Sequence, residues 1–290
     1  MIPNKCENPV VGAPRRERHD DTKRASFLIP VDSSANAYNS LTYALKLARA
    51  CNARIHLVHV ADLYELPESG NPFAIHRMLG SIERKAKNCV TALKELIEDS
   101  GIEVLSHNAV IGNIDALLSR QIECLAPDLV IVGRDTFRKT STTRMLRTSP
   151  SPVLVVPGSA EPVLPENIAL YTDHTKFSEN SLTQLLRIVR STTGEFSILS
   201  LAKNRDRASI ISGPQSKSSD FQTHHHLLKD GRNSESIQTF AELNGVDLLC
   251  TTFGYPSPLH RLLGRSYTTT LVYSLKIPVM VMRPGPRIAM

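Results

Sequence analysis

The 290 residues carry 34 Lys and Arg against 28 Asp and Glu, a net charge of +6, and 41% of them are hydrophobic, which suffices for two domains that each bury a core. No run approaches the roughly 18 consecutive apolar residues of a membrane-spanning helix, and the excess charge sits in two short segments instead of along one face, so neither a membrane protein nor a nucleic-acid binder is indicated. The five cysteines form no Cys-x-x-Cys pair, which fits a reducing, cytoplasmic compartment better than a disulfide framework.

Residues 1–24 hold three prolines and mixed charge without an apolar centre, and read as a disordered leader. The strand FLIPVD follows, ending at Asp32, and then a helix with Leu41, Ala44, Leu45 and Ala48 at i, i+3, i+4, i+7. ARIHLVHV is a second strand, flanked by His56 and His59, which read as core or rim residues. A long amphipathic helix is expected over roughly Pro72 to Asp99. AVIG then runs into a helix start at Gly-Asn-Ile-Asp-Ala, and APDLVIVG is a continuous apolar strand ending at Gly133. Arg134 to Arg147 carries five Lys/Arg against one acid and reads as a basic loop before the last strand, PVLVVP, from Pro152. Cys51, Cys89, Cys124 and Cys250 read as small buried hydrophobes.

From there the chain repeats itself. NIALYTD, ending at Asp173, matches FLIPVD at an offset of 141, and the offset holds through Asn180-Ser181-Leu182 against Asn39-Ser40-Leu41 and through GEFSILSL against ARIHLVHV. It falls to 119 at Gly231 against Gly112 and Asp247 against Asp128, so the second copy has lost 22 residues, the counterpart of the long helix; the Ser-rich stretch in their place reads as a loose connection. PVMVMRP from Pro278 matches PVLVVP at an offset of 126, so the second copy has regained seven residues between its last two strands. Strand and helix alternating in this way, with strands apolar on both faces, predict a parallel α/β sheet in each copy. The boundaries expected are 25–159 and 165–284. A ligand crevice belongs at the carboxyl ends of the strands, where the strand order reverses.

Five elements in this order, twice over, resemble the universal stress protein family: the Val-Asp-Ser or Thr-Asp-His turn after strand one, HLVHV, Gly-Asn-Ile-Asp-Ala, PDLVIVG and the terminal Pro-Val-Leu-Val-Val. The resemblance implies two tandem Rossmann-like domains of the adenine nucleotide α-hydrolase-like type, each a five-stranded parallel sheet of order 3-2-1-4-5, the second truncated. It also implies pairing through the last strands, here as an internal pseudo-dimer, and leaves room for a homodimer.

ATP-binding members carry a G-x2-G-x9-G-[S/T] signature after the fourth strand, where glycines let backbone N–H groups approach the phosphates at a helix start. The second copy matches it in part: Gly254 and Gly264 are present with nine residues between them, the first glycine falls on Thr251, and Arg265 intervenes before Ser266. By resemblance, Thr172, Asp173 and Leu201 would hold the adenosine side of ATP, with Thr251, Gly254, Gly264, Arg265, Ser266 and Tyr267 around the phosphates; His260 and Arg261 add positive charge. The first copy keeps Val31, Asp32, Val60 and Gly133 as weaker candidates but lacks the glycine cradle. Asp32 and Asp173 have a plain alternative as helix N-caps or turn residues.

His224, His225 and His226 lie on the third strand of the second copy, expected at a sheet edge with His224 and His226 on one face; without a third ligand they read as a solvated edge. No nucleophile elbow, Walker loop, HExxH or paired-Cys pattern occurs, so no catalytic or metal site is assigned. The reading is a nucleotide-binding stress-response protein, not an enzyme; the alternative is a scaffold of the same family that binds no nucleotide.

Overall fold

The computed structural model describes residues 24–32, 34–62, 71–172, 185, 187, 195–201, 223–228, 234–253 and 267–283. The first unit comprises β1 (Ser26–Val31), α1 (Ala35–Ala50), β2 (Arg54–Asp62), α2 (Pro72–Asp99), β3 (Val104–Gly112), α3 (Ile114–Leu125), β4 (Leu129–Gly133), α4 (Lys139–Thr148) and β5 (Val153–Val156). The second comprises β6 (Asn167–Thr172), β7 (Glu195–Leu201), β8 (Thr223–Leu228), α5 (Ser234–Leu243), β9 (Leu248–Thr252), α6 (Tyr267–Ser274) and β10 (Val279–Met282). Each strand of the second unit starts at the sequence offset of its counterpart: 141 for β6 and β7, 119 for β8 and β9, 126 for β10. Only 21 residues separate β7 from β8, against 41 between β2 and β3, so nothing the length of the 28-residue α2 fits there.

The ten strands form one sheet, β3-β2-β1-β4-β5-β10-β9-β6-β7-β8. Each half is parallel in the order 3-2-1-4-5. The halves meet antiparallel, with Val153, Leu154 and Val155 opposite Val281, Met280 and Val279. Strict alternation sends Phe27, Ile29, Leu129, Ile131, Leu154, Met280, Cys250 and Leu170 into one core, and Leu28, Val130, Val132, Val155, Val279, Leu249 and Tyr171 into the other, as a period of two requires. α1 and α2 cover the first face; α3 to α6 cover the second. Both cores run without interruption across the joint.

Several polar contacts fix the frame. Asp128 accepts the Ser26 N–H at 2.8 Å and Asp247 accepts those of Glu166 and Asn167 at 3.0 Å each, so the residue before β4 or β9 locks the start of the neighbouring first strand in both units. The Asn39 amide donates to the carbonyls of Pro157, Gly158 and Ala160 at 3.1–3.2 Å, pinning the connection between the units onto α1. Arg24, last residue of the expected leader, is tied to Glu103 at 2.8 Å and to the Asn52 carbonyl at 3.1 Å; residues 1–23 lie outside the described residues, as does the Ser-rich connection. Tyr43 of α1 is buried at the joint, and burial, with Cys250 and Asp247 of the second unit nearby, pushes its phenol up.

Three expectations need correction. Arg134 to Arg147 is mostly helix, not loop, because Thr142, Met145 and Leu146 bury one face of α4 against the second core. Cys124 is exposed near the end of α3, and Cys51 and Cys89 are only half-buried; Cys250 alone of the four is fully buried, and no disulfide joins them. His56 and His59 stand inside β2 and do not flank it.

Candidate functional site

The crevice that strand reversal creates is formed in both units by local loss of pairing. β1 is in register with β2 through all six residues to Val31↔His59, but with β4 only at Phe27↔Leu129 and Leu28↔Val130. The carboxyl ends of β1 and β4 therefore continue without partners on each other. β6 and β9 behave alike, pairing from Ile168↔Leu248 to Leu170↔Cys250 and no further.

In the first unit Val31 is fully buried at the end of β1, Val60 is buried on β2, and Gly133 closes β4. Asp32 follows β1, half-buried. Its carboxylate accepts the Ser34 N–H at 2.9 Å and also the Ser34 hydroxyl, and Ser34 is the N-cap of α1, accepting from the Ala37 N–H at 3.3 Å. Of the two plain alternatives, the turn is the one realised: Asp32 braces the cap without being it. Burial, followed by the Asp32 charge, raises the thiol of Cys89 on α2. The half-buried His56 has Nδ1 2.7 Å from the Ser106 hydroxyl, and burial followed by the Arg54 charge lowers its pKa.

In the second unit Thr172 ends β6 and Leu201 ends β7. Thr251 is buried on β9, one residue past the last β6 partner. Tyr267 opens α6, its ring centroid 5.9 Å from that of buried Tyr171. The Thr268 hydroxyl donates to the Thr252 carbonyl at 3.1 Å and holds the first turn of α6 against the end of β9. Four of the nine candidates thus stand on β6, β7, β9 and the start of α6. Asp173, Gly254, Gly264, Arg265 and Ser266, with His260 and Arg261, lie outside the described residues.

The basic segment of the first unit has other business than an anion. Arg134 Nη1 donates to the Leu275 carbonyl at 2.9 Å, across the joint at the C-terminal end of α6. Lys139 Nζ stands 4.5 Å over the ring of Tyr273 on the same helix. Arg144 pairs with Asp115 on α3 at 3.3 Å. In return Arg283, after β10, donates to the Ser149 carbonyl at 2.9 Å and the Thr148 carbonyl at 3.3 Å, at the C-terminal end of α4. Ser149 and Leu275 are equivalent at the offset of 126, so each closing helix offers its negative end to an arginine of the other unit. The sequence held this signal as the local charge excess, without indicating that Arg134 and Lys139 reach the other unit.

β8 lies at the edge of the sheet. His224 is exposed, His226 is half-buried with its ring 4.8 Å from that of Phe240, and the two rings are 6.5 Å apart. Among the described residues no group of three or more His, Cys, Asp and Glu gathers as for a metal ion, and no helix is long and apolar enough to cross a membrane.

Two doubly wound α/β units joined edge to edge, each with a crevice at its switch point, define the class. Residues 24–157, the first unit, match the model of the universal stress protein family. Among solved structures, a universal stress protein from Archaeoglobus fulgidus superposes with a TM-score of 0.70 at 17% identity, covering 90% of this chain and 97% of its own. A functionally unknown protein from Pseudomonas aeruginosa follows with a TM-score of 0.58 at 13% identity, covering 90% and 93%. At these identities the likeness is one of fold. A universal stress protein from Arabidopsis thaliana with AMP bound covers 46% of this chain and 91% of its own, at 15% identity and a TM-score of 0.37. No curated protein matches the chain.

Proposed function

We propose that the protein is a cytoplasmic universal stress protein that binds an adenine nucleotide, ATP first among them, in the crevice of the second unit, and that it senses the nucleotide without turning it over. One observation carries this reading. Thr172 ends β6, Leu201 ends β7, Thr251 lies on β9 one residue past its last β6 partner, and Tyr267 opens α6 with its ring 5.9 Å from that of Tyr171; Gly254 and Gly264 stand in the sequence between Thr252 and Tyr267. A helix start presents unsatisfied N–H groups and the positive end of its dipole, which suits phosphate.

The test is a thermal-shift titration of the full chain with ATP and with GTP. At a hundredfold excess over its dissociation constant ATP stabilises by about 2.7 kcal/mol. We expect an ATP-selective shift that is lost in Gly264→Ala and in Asp173→Ala, with no phosphate released. Absence of a shift at millimolar ATP would overturn the reading.

The scaffold alternative is favoured by a specific observation in the first unit. There the segment after β4 spends Arg134 and Lys139 on the joint, and the crevice carries only Val31, Asp32, Val60 and Gly133 without a glycine cradle. The alternative is a universal stress protein that binds no nucleotide in either unit and serves as a dimer-like interaction scaffold, the reading that stands if ATP gives no shift.

A further inference from the structure

We propose that Arg134 and Lys139 of the first unit are positioning residues for the nucleotide crevice of the second, acting through α6. The inference rests on the nucleotide reading above and adds to it a dependence on the other half of the chain.

α6 is eight residues long, about 12 Å from end to end. Its two ends belong to different parts of the molecule. At the first turn the Tyr267 ring packs 5.9 Å from that of Tyr171 on β6, and Thr268 is bonded to the last carbonyl of β9. Along the middle, Leu271 and Val272 are buried in the second core. At the far end Leu275 is buried in the second core, and the polar contacts come from other elements: Lys139 over the Tyr273 ring and Arg134 on the Leu275 carbonyl from the first unit, and Gln238 Oε1 accepting the Lys276 N–H at 3.1 Å from α5.

A helix of two turns does not bend between such supports, so where its C-terminal end is seated decides where its first N–H groups point. The Leu275 carbonyl is one of the acceptors left open at a helix C-terminus. A guanidinium there satisfies it and opposes the negative end of the dipole. Without Arg134 the carbonyl turns to water, and α6 keeps its core contacts but loses a fixed anchor on the first unit. The phosphate end of the crevice then has to be ordered by the ligand, which weakens binding. This gives the tandem arrangement a use: a crevice in one unit whose shape is completed from the other.

The experiment is a calorimetric titration of full-length protein with ATP, on the unaltered chain, Arg134→Ala, Arg134→Lys, Lys139→Ala and, as control, Arg144→Ala. Arg144 lies on the same helix as Lys139 but pairs with α3, away from the joint. We expect Arg134→Ala to weaken ATP by about fivefold or more, the lower end of measured couplings between sites, Lys139→Ala to weaken it less, Arg134→Lys to restore most of the affinity by keeping a donor, and Arg144→Ala to bind as the unaltered chain does. Melting without ligand is recorded for each, so a change in affinity is separated from a change in stability. If the unaltered chain binds ATP and Arg134→Ala and Lys139→Ala bind it equally well, or if Arg144→Ala is weakened as much, the positioning role is overturned while the nucleotide reading stands. If the unaltered chain takes no ATP, both fall.

Discussion

Asp128 and Asp247 accept backbone N–H groups at the start of β1 and β6, and their own N–H groups donate back to the Ser26 and Asn167 carbonyls at 2.8 Å. Hydrogen bonds to a charged partner contribute about 1.5–3 kcal/mol, and Asp247 receives two, so Asp247→Ala should lower unfolding free energy by about 2–4 kcal/mol in urea titration, with an unchanged m-value. Gly112 has φ +151°, and a Cβ there would stand 3.2 Å from Leu117 Cδ1; Gly112→Ala is expected to cost about 1–3 kcal/mol in the same measurement. His56 gives a pH dependence of defined sign. Its folded pKa lies below the ordinary 6.5, so below that value the unfolded chain binds the extra proton first. Its stabilisation is present above pH 6.5 and is lost as pH falls through the window between 6.5 and the depressed folded value. Stability of the unaltered chain should therefore fall more between pH 7 and pH 5 than that of His56→Asn; parallel curves would refute the assignment. At this scale the sequence was half legible. Asp128 and Asp247 stood out as a repeated pair, but nothing in a repeat says whether an aspartate holds a ligand or a strand, and Asp32, a nucleotide candidate with a cap or turn as its alternative, has the Ser34 cap as its visible partner.

Elements were the most legible level. Strand bounds follow the offsets of 141, 119 and 126, because the alternation of apolar residues on a doubly covered strand cannot slip by one without exposing a core face. α2 runs from Pro72 to Asp99, opened by the Asn71 cap and a proline in its first turn, both readable signals. α3 is opened likewise by Asn113, whose Oδ1 accepts the Ala116 N–H at 3.0 Å. Asn113→Ala should therefore cost about 1 kcal/mol and show in the melting temperature. α4 was misread because Lys139, Arg144 and Arg147 dominate its composition, while Thr142, Met145 and Leu146 make a core-facing stripe too short to be noticed. Its N-terminal Arg138 offers no side-chain cap bond, so the usual opening signal was missing too.

For the molecule as a whole, the feature that could not be read from either repeat alone is the joint. Pairing through the last strands came from family resemblance; the exchange of Arg134 and Arg283 between helix ends, and the anchoring of the connection by Asn39, did not. Since both cores cross the joint through Leu154, Met280, Val155 and Val279, the units should not melt separately. Scanning calorimetry is expected to give one transition with equal calorimetric and van't Hoff enthalpies; two resolved transitions would contradict a shared core.

Because both halves of that joint lie on one polypeptide, its closure is a first-order event. Two identical chains meeting by the same strands would separate on dilution, with a midpoint set by their dissociation constant, and their assembly would report how much protein the cell had made. Here the partner's effective concentration is fixed by the short connection pinned to α1, so the assembled sheet, and any crevice completed across it, is the same at the first copy per cell as at the thousandth.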